Sequence, residues 1–379
     1  MAPTKNDREL SFEVFVLGTR GSGKTVFLSA LHNQLSVLDV QGDNFYVELG
    51  SPRQALQLKK IYKQLANPGD DWPAGTVGKS EYEFHCFHTA GGDPVPLFRF
   101  LYRDYPGGLI DDEADGSTTF IRDATRTAHA ILVLIDGQKV LQSLEGQEPR
   151  GPSLNDDLNA LIPLLQRGAN RPVQFLMTKW DILHPQHTLG EVRDLLLENH
   201  NFAKFVEQRA KWKLPVHLIP VSAVGMNFAR FDRNDMRMKK VRNGSCKPFN
   251  VELAIGMTVT DQIQLSSVHP KRNLGMLLLW ITRILRGSTD VLEKSIEISQ
   301  FVIGFPRFLP IDSIRRLLKE AGATIQVSED WLRGKIEEEA VKIRDQRSAV
   351  ESVMTIQACR RKLFEKNFPE SRLVALGDA

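Results

Sequence analysis

Six short stretches rich in β-branched and aromatic residues are spaced along the chain up to Val221, and each gives way to a turn or a polar segment. They are Phe12–Leu17, Tyr82–Phe87, Leu97–Tyr102, Ala130–Ile135, Val173–Met177 and Val216–Val221. Such short runs with this composition predict strands rather than helices. Between most of them the apolar spacing changes. Phe27, Leu28, Leu31 and Leu35 recur at steps of one, three and four, and Leu154–Leu165 and Glu191–Gln208 carry helical patterns too, so these segments predict helices. Strands alternating with helices predict an α/β fold with a mainly parallel sheet covered on both faces.

After Gly287 the pattern changes. Pro310–Gly322 has a capping residue near its start and glycine at its end, which predicts a short helix. Beyond Ser328, apolar residues Ile336, Ala340, Ile343, Val350 and Met354 recur at helical steps, interrupted by Arg347. That spacing predicts a long amphipathic helix or a helix pair. The chain thus divides into an α/β domain over 1–287 and a small all-α domain over 288–379. The most apolar stretch, Leu274–Ile281, stops at Thr282 and Arg283. A spanning helix needs about 20 apolar residues, so this stretch predicts a buried helix and no transmembrane segment.

Composition narrows the function classes. Of 379 residues, 42% are hydrophobic and 25% charged, the balance of a globular protein. A net charge of +3, from 49 basic and 46 acidic side chains, gives no electrostatic case for nucleic acid or membrane. Three widely separated cysteines, Cys86, Cys246 and Cys359, do not make a disulfide framework and suit a reducing compartment. The opening MAPTKNDREL has no apolar run and does not read as a signal peptide, so a cytoplasmic location is expected.

Chemistry enters with Gly18-Thr-Arg-Gly-Ser-Gly-Lys-Thr25, placed between the first strand and the first helix. This is a Gly-x-x-x-x-Gly-Lys-Ser/Thr phosphate-binding loop in the context such a loop requires. Gly18, Gly21 and Gly23 let the chain curl, with Ser22 between them, so that successive N–H groups face a phosphate at the positive end of a helix. Lys24 is placed to neutralise β- and γ-phosphate oxygens, and the Thr25 hydroxyl to ligate Mg²⁺. Next, the strand Leu97–Tyr102 leads to Asp104-Tyr-Pro-Gly107, an Asp-x-x-Gly element. A carboxylate there can hold Mg²⁺ through water, and the Gly107 N–H can meet the γ-phosphate, although Asp-Tyr-Pro-Gly is also ordinary turn chemistry. The strand Val173–Met177 ends in Thr178-Lys179-Trp180-Asp181. A carboxylate at Asp181 can accept from both N1–H and the exocyclic amine of guanine, a pair that adenine does not offer. Lys179 can lay its apolar stem against the base. Finally, Val216–Val221 ends in Ser222-Ala223, where the Ala223 N–H can donate to guanine O6.

These four elements, in this order and each at a strand end, resemble the motifs of the translation-factor-like and Ras-like (TRAFAC) class of P-loop GTPases. The resemblance covers roughly residues 10–286. It implies the three-layer P-loop NTPase fold, GTP/GDP and Mg²⁺ as ligands, and a nucleotide site of Gly18, Gly21, Ser22, Gly23, Lys24, Thr25, Val26, Thr178, Lys179, Asp181, Ser222 and Ala223. It also implies a first-switch threonine before the Tyr82 strand; Thr76, in Asp71-Trp-Pro-Ala-Gly-Thr76, is the candidate. A Trp-Pro-x-Gly-Thr switch after a longer insertion is similar to bacterial double-GTPase-type domains. Thr25, Thr76 and Asp104 would then organise Mg²⁺, and Lys24, Thr76, Asp104, Gly107 and Arg20 would carry hydrolysis. The implied activity is a GTP switch that engages a protein effector through its switch segments, with a nucleotide-dependent dimer as a further form.

Two positions depart from the class. The residue after Asp-x-x-Gly is Gly108, where many Ras-like enzymes carry a water-orienting glutamine, which implies slow or partner-stimulated turnover. It also leaves open a module that binds GTP without significant turnover. Arg20 sits inside the loop, where many relatives have a small residue; it reads either as an internal arginine finger or as a solvated loop-tip side chain. Two other signals are discounted. His85-Cys-Phe-His88 lies on a strand whose alternation separates His85 from Cys86. The basic run Arg230–Lys247 reads as an exposed loop with solvated charges.

Overall fold

The computed structural model describes residues 10–36, 45–69, 71–74, 78, 80–88, 94–104, 117–149, 151–166, 171–235, 237–268, 330–331, 334 and 346–374. Strands β1 (Leu10–Leu17), β4 (Val95–Asp104), β5 (Ala130–Ile135), β6 (Val173–Met177) and β7 (Val216–Pro220) form the parallel heart of the sheet. Antiparallel strands extend it at both sides: β3 (Ser80–His88) and β2 (Phe45–Leu49) beyond β4, and β10 (Arg372–Val374) beyond β7. The eight strands run β10-β7-β6-β5-β1-β4-β3-β2. Helices cover both faces, giving a three-layer α/β architecture.

Alternation along β1 shows how the layers arise. Val14 and Val16 join one apolar cluster, whereas Phe15 and Leu17 join the cluster on the opposite face. The first face is covered by α1 (Lys24–Leu35), α9 (Val251–Val268) and α10 (Gln346–Asn367). The second is covered by α3 (Ser117–Thr127), α4 (Gly137–Leu144), α5 (Leu154–Gln166), α7 (Leu189–Glu198) and α8 (His200–Lys211). Every residue of β5, β6 and β7 is buried, which is why these strands read as apolar runs, interrupted by Gln174 in β6 and His217 in β7. Two further helices complete the framework near the site, α2 (Pro52–Ala66) and the short α6 (Trp180–Leu183).

Three sequence expectations need correction. Glu191–Gln208 is not one helix: Asn199 ends α7 and caps α8, its side chain accepting from the Phe202 N–H at 3.1 Å. Arg230–Lys247 keeps most of its charges exposed but is not a loop throughout, because β8 (Ala229–Asp232) and β9 (Arg237–Lys240) pair as a hairpin in its first part. Lys239 there pairs with both Asp232 and Asp235. The C-terminal segment is helical over Gln346–Asn367, but the chain then forms a strand, and β10 joins the main sheet rather than a separate bundle. The anticipated segments Leu274–Ile281 and Pro310–Gly322, and the 287/288 boundary, lie outside the described residues.

A buried charged cluster fastens α9 and α10 to the sheet. His217 of β7 and Asp261 of α9 are fully buried, and Arg361 of α10 is 5% exposed. Arg361 pairs with Asp261 and with Glu365, while Gln174 of β6 donates to Asp261. Among the described residues no helix is long and apolar enough to cross a membrane.

Candidate nucleotide-binding site

The phosphate-binding loop bridges β1 and α1. Gly21 and Gly23 have φ of 87° and 84°, a left-handed conformation that glycine adopts without steric cost. The loop closes on itself through the Ser22 hydroxyl, which donates to the Thr19 carbonyl at 2.9 Å. No side chain caps α1, whose N-cap is Gly23. The start of α1 thus turns the positive end of the helix dipole toward the loop, which favours an anion there. Lys24 is 6% exposed and lies back across the loop, donating to the carbonyls of Gly18 at 2.6 Å and Thr19 at 3.2 Å. Its ammonium is thus held along the rim of the anion site.

Asp104 at the end of β4 meets Thr25 at the start of α1. The Thr25 hydroxyl donates to Asp104 Oδ2 at 3.0 Å, and the carboxylate is 1% exposed. Tyr102, two residues earlier on the same strand, donates to the Lys24 carbonyl at 3.3 Å and so fixes the register of strand against helix. A hydroxyl and a buried carboxylate side by side are hard oxygen donors, the chemistry that Mg²⁺ selects while keeping waters and phosphate oxygens as its other ligands. The residues therefore fit the ion that the sequence implied. Thr76, Gly107 and Gly108 lie outside the described residues.

The base-recognition elements come together at the ends of β6 and β7. Lys179 adopts a left-handed conformation, φ 53°, and its ammonium pairs with Asp136 at 2.7 Å. Asp136 is itself fixed by capping α4, accepting from the Gln138 N–H at 2.9 Å. The Thr178 hydroxyl donates to the Ile135 carbonyl at 2.9 Å, which ties the β6 end to β5. Asp181 is 2% exposed, and its Oδ1 accepts from the Ser222 hydroxyl at 2.6 Å. Ser222 in turn accepts from the Gly225 N–H at 2.9 Å, holding the β7 loop in place.

The second oxygen, Asp181 Oδ2, is buried and has no hydrogen-bond partner among the described residues. Burial pushes this carboxyl up to about 6, against the opposing hydrogen bond from Ser222 and the charge of Lys179. An unsatisfied buried acceptor costs stability, a cost that donors from a bound ligand would offset.

Gly21, Gly23, Val26, Thr178, Lys179, Asp181 and Ala223 all line one cavity of about 330 Å³. The glycine loop, the Asp181 carboxylate and the β7 loop therefore share a single space. Arg20 is exposed and borders a neighbouring cavity of about 450 Å³ with Lys139 and Asp157. Sequence reasoning missed several residues here. Thr19 donates to Asp157 at 2.7 Å, and Lys139 pairs with the other oxygen of the same carboxylate at 2.7 Å, bracing the loop from outside. Trp72, Arg237 and Met238 also line the cavity that holds Asp181, and their contribution depends on contacts that no local motif announces.

Fold and loop together define a P-loop NTPase-type α/β protein. No protein-family model matches the chain, and no curated protein matches it. Among solved structures, one described as the signal recognition particle receptor SRb-GTP/SRX complex from Chaetomium thermophilum aligns over 56% of this chain and 91% of that one. The identity is 16% and the TM-score 0.36.

Proposed function

We propose that this chain is a guanine-nucleotide-binding protein that hydrolyses GTP in a Mg²⁺-dependent manner, slowly or under partner stimulation, as a molecular switch. The observation that carries the reading is Asp181: a buried carboxylate with one oxygen fixed by Ser222 and the other unpartnered, in the cavity that also holds the phosphate loop. Guanine brings two adjacent donors to such a group, whereas adenine would leave the carboxylate unsatisfied. The Ala223 N–H and the Lys179 stem are placed to complete recognition of the base.

Around the phosphates, the loop N–H groups and Lys24 would hold the β- and γ-oxygens, with Val26 following on α1. Thr25 and Asp104, with Thr76 from the first switch, would hold Mg²⁺, which when bound neutralises charge on the transferring phosphate. Thr76 and Gly107 are the positions through which the γ-phosphate would order the two switch segments, and its loss would release them. Those segments are the surface proposed for a protein effector, with a second copy of the chain as a further partner. Gly108 favours the second reading, binding of GTP without significant turnover, because it offers no side chain to orient water.

Asp181→Asn tests the base assignment. An asparagine can pair with the N1–H and C2 carbonyl of xanthine, so the variant should gain xanthosine diphosphate and lose GDP. No change in preference would refute the assignment. Phosphate release from GTP, with and without Arg20→Ala, separates the two readings of turnover. A rate lowered by about a hundredfold or more marks an internal finger, and an unchanged rate assigns Arg20 to solvent.

A further inference from the structure

The cavity shared by the glycine loop and Asp181 has a wall that none of the four motifs supplies. Trp72 follows α2, and Met238 lies on β9, yet the two meet: the Trp72 indole N–H donates to the Met238 carbonyl at 2.8 Å. That bond uses the only polar group of the indole, so what Trp72 offers the cavity is ring surface alone. Lys240, two residues on along β9, fixes the arrangement. Its ammonium lies 5.1 Å from the centre of the Trp72 ring and donates to the carbonyls of Gln64 at 2.6 Å and Asn67 at 2.9 Å, where α2 ends. Trp72 and Met238 also pack against a small cluster of Leu65, Val224 and Phe228.

A purine presents a polar edge and two apolar faces. Asp181 and Ala223 account for the edge, and the Lys179 stem for one face. Trp72 and Met238 are the apolar surface brought to the same cavity from distant segments of the chain. We propose that Trp72 is a nucleotide-binding residue that, with Met238, forms the wall on which the base stacks. The inference rests on the guanine-nucleotide reading and adds to it a division of labour. Stacking tolerates any base, so Trp72 sets affinity while Asp181 sets selectivity.

Calorimetry on the full chain with GDP and ADP tests this. Base–aromatic stacking lost on alanine substitution corresponds to roughly ten- to a hundredfold in affinity. Trp72→Ala should weaken GDP by that factor and leave the GDP-to-ADP ratio within about threefold of the parent, and Trp72→Phe should bind nearly as the parent does. GDP affinity unchanged in Trp72→Ala overturns the proposal. So does a collapsed ratio, which would make Trp72 part of edge recognition. Should the alanine variant fail to fold, tryptophan emission decides. GDP should alter emission of the parent, and most of that change should vanish in Trp72→Phe. No change in the parent, or a full change in the phenylalanine variant, overturns it. If the parent itself binds GDP and ADP equally, the guanine reading falls instead, while weakened binding of both nucleotides by Trp72→Ala would still support the stacking wall.

Discussion

Protonating Asp181 should switch off guanine recognition. The carboxyl is 2% exposed, and its burial in the nucleotide-free protein raises it to about 6. Guanine requires the ionised form, because a protonated carboxyl presents one acceptor fewer and a donor aimed at two donors. With a free-state value near 6, the ionised fraction falls from about nine-tenths at pH 7 to about one-tenth at pH 5, so GDP affinity should drop roughly tenfold, or about 1.4 kcal/mol. The linkage has a matching sign in stability. A folded-state value raised above the unfolded one means that ionisation opposes folding, so this group costs nothing below the unfolded value and its cost is fully present above about pH 6. Asp181→Asn should therefore raise the melting temperature of the nucleotide-free protein at pH 7 even as it weakens GDP binding. The assay is GDP calorimetry from pH 5 to 8 at constant ionic strength, on the parent and on Asp181→Asn. Titration of the diphosphate is common to both proteins and cancels in the comparison. A GDP affinity whose pH dependence is the same in both would refute the reasoning, as would a melting temperature lowered by the substitution.

Three other perturbations follow from the same contacts. Lys24→Ala should lower GDP affinity by about 10- to 100-fold, the scale of a charge-assisted hydrogen bond lost at a phosphate, as read by calorimetry. Asp104→Asn should abolish the dependence of nucleotide affinity on Mg²⁺, so that titrations with and without a chelator coincide. Arg361→Met leaves Asp261 buried without its main cation and should destabilise the fold by about 3–5 kcal/mol in chemical denaturation. The Glu365 carboxyl, beside His217 and Arg361, is held well below the usual carboxylate range, so its share of that stability is fully present above that range and should be lost progressively as the pH falls from there into strong acid.

The strands and the loop were legible in the sequence because their signals are local. Ala130–Ile135 is an unbroken apolar run and Val173–Met177 an apolar run interrupted by Gln174, on a sheet buried on both faces, and both strands fall where those runs begin and end. The loop, Asp104, Asp181 and Ser222 each sit at a strand end, so a short window carries the strand, the turn and the chemistry together. Other elements are invisible at that range. Helix α9 carries apolar residues on more than one side because it lies between α1, α10 and the sheet, so it shows no amphipathic stripe. Strand β10 has three residues and owes its conformation to β7. The β8–β9 hairpin did have a signal, the turn residues Asp232-Arg-Asn-Asp235, with the Asn234 N–H donating to Asp232. Charge count masked it. Trp72 is the extreme case, since its place in the cavity depends on Met238 and on Lys240, whose partner Gln64 lies 176 residues away.

The central claim is that the cavity between the phosphate loop and Asp181 selects guanine. Its most direct test is the affinity of the unmodified chain for GDP and for ADP, measured side by side with Mg²⁺ at pH 7.5. The account predicts GDP binding tighter by at least about a thousandfold, since a buried carboxylate left without donors is heavily penalised. Equal affinity for the two nucleotides would contradict it.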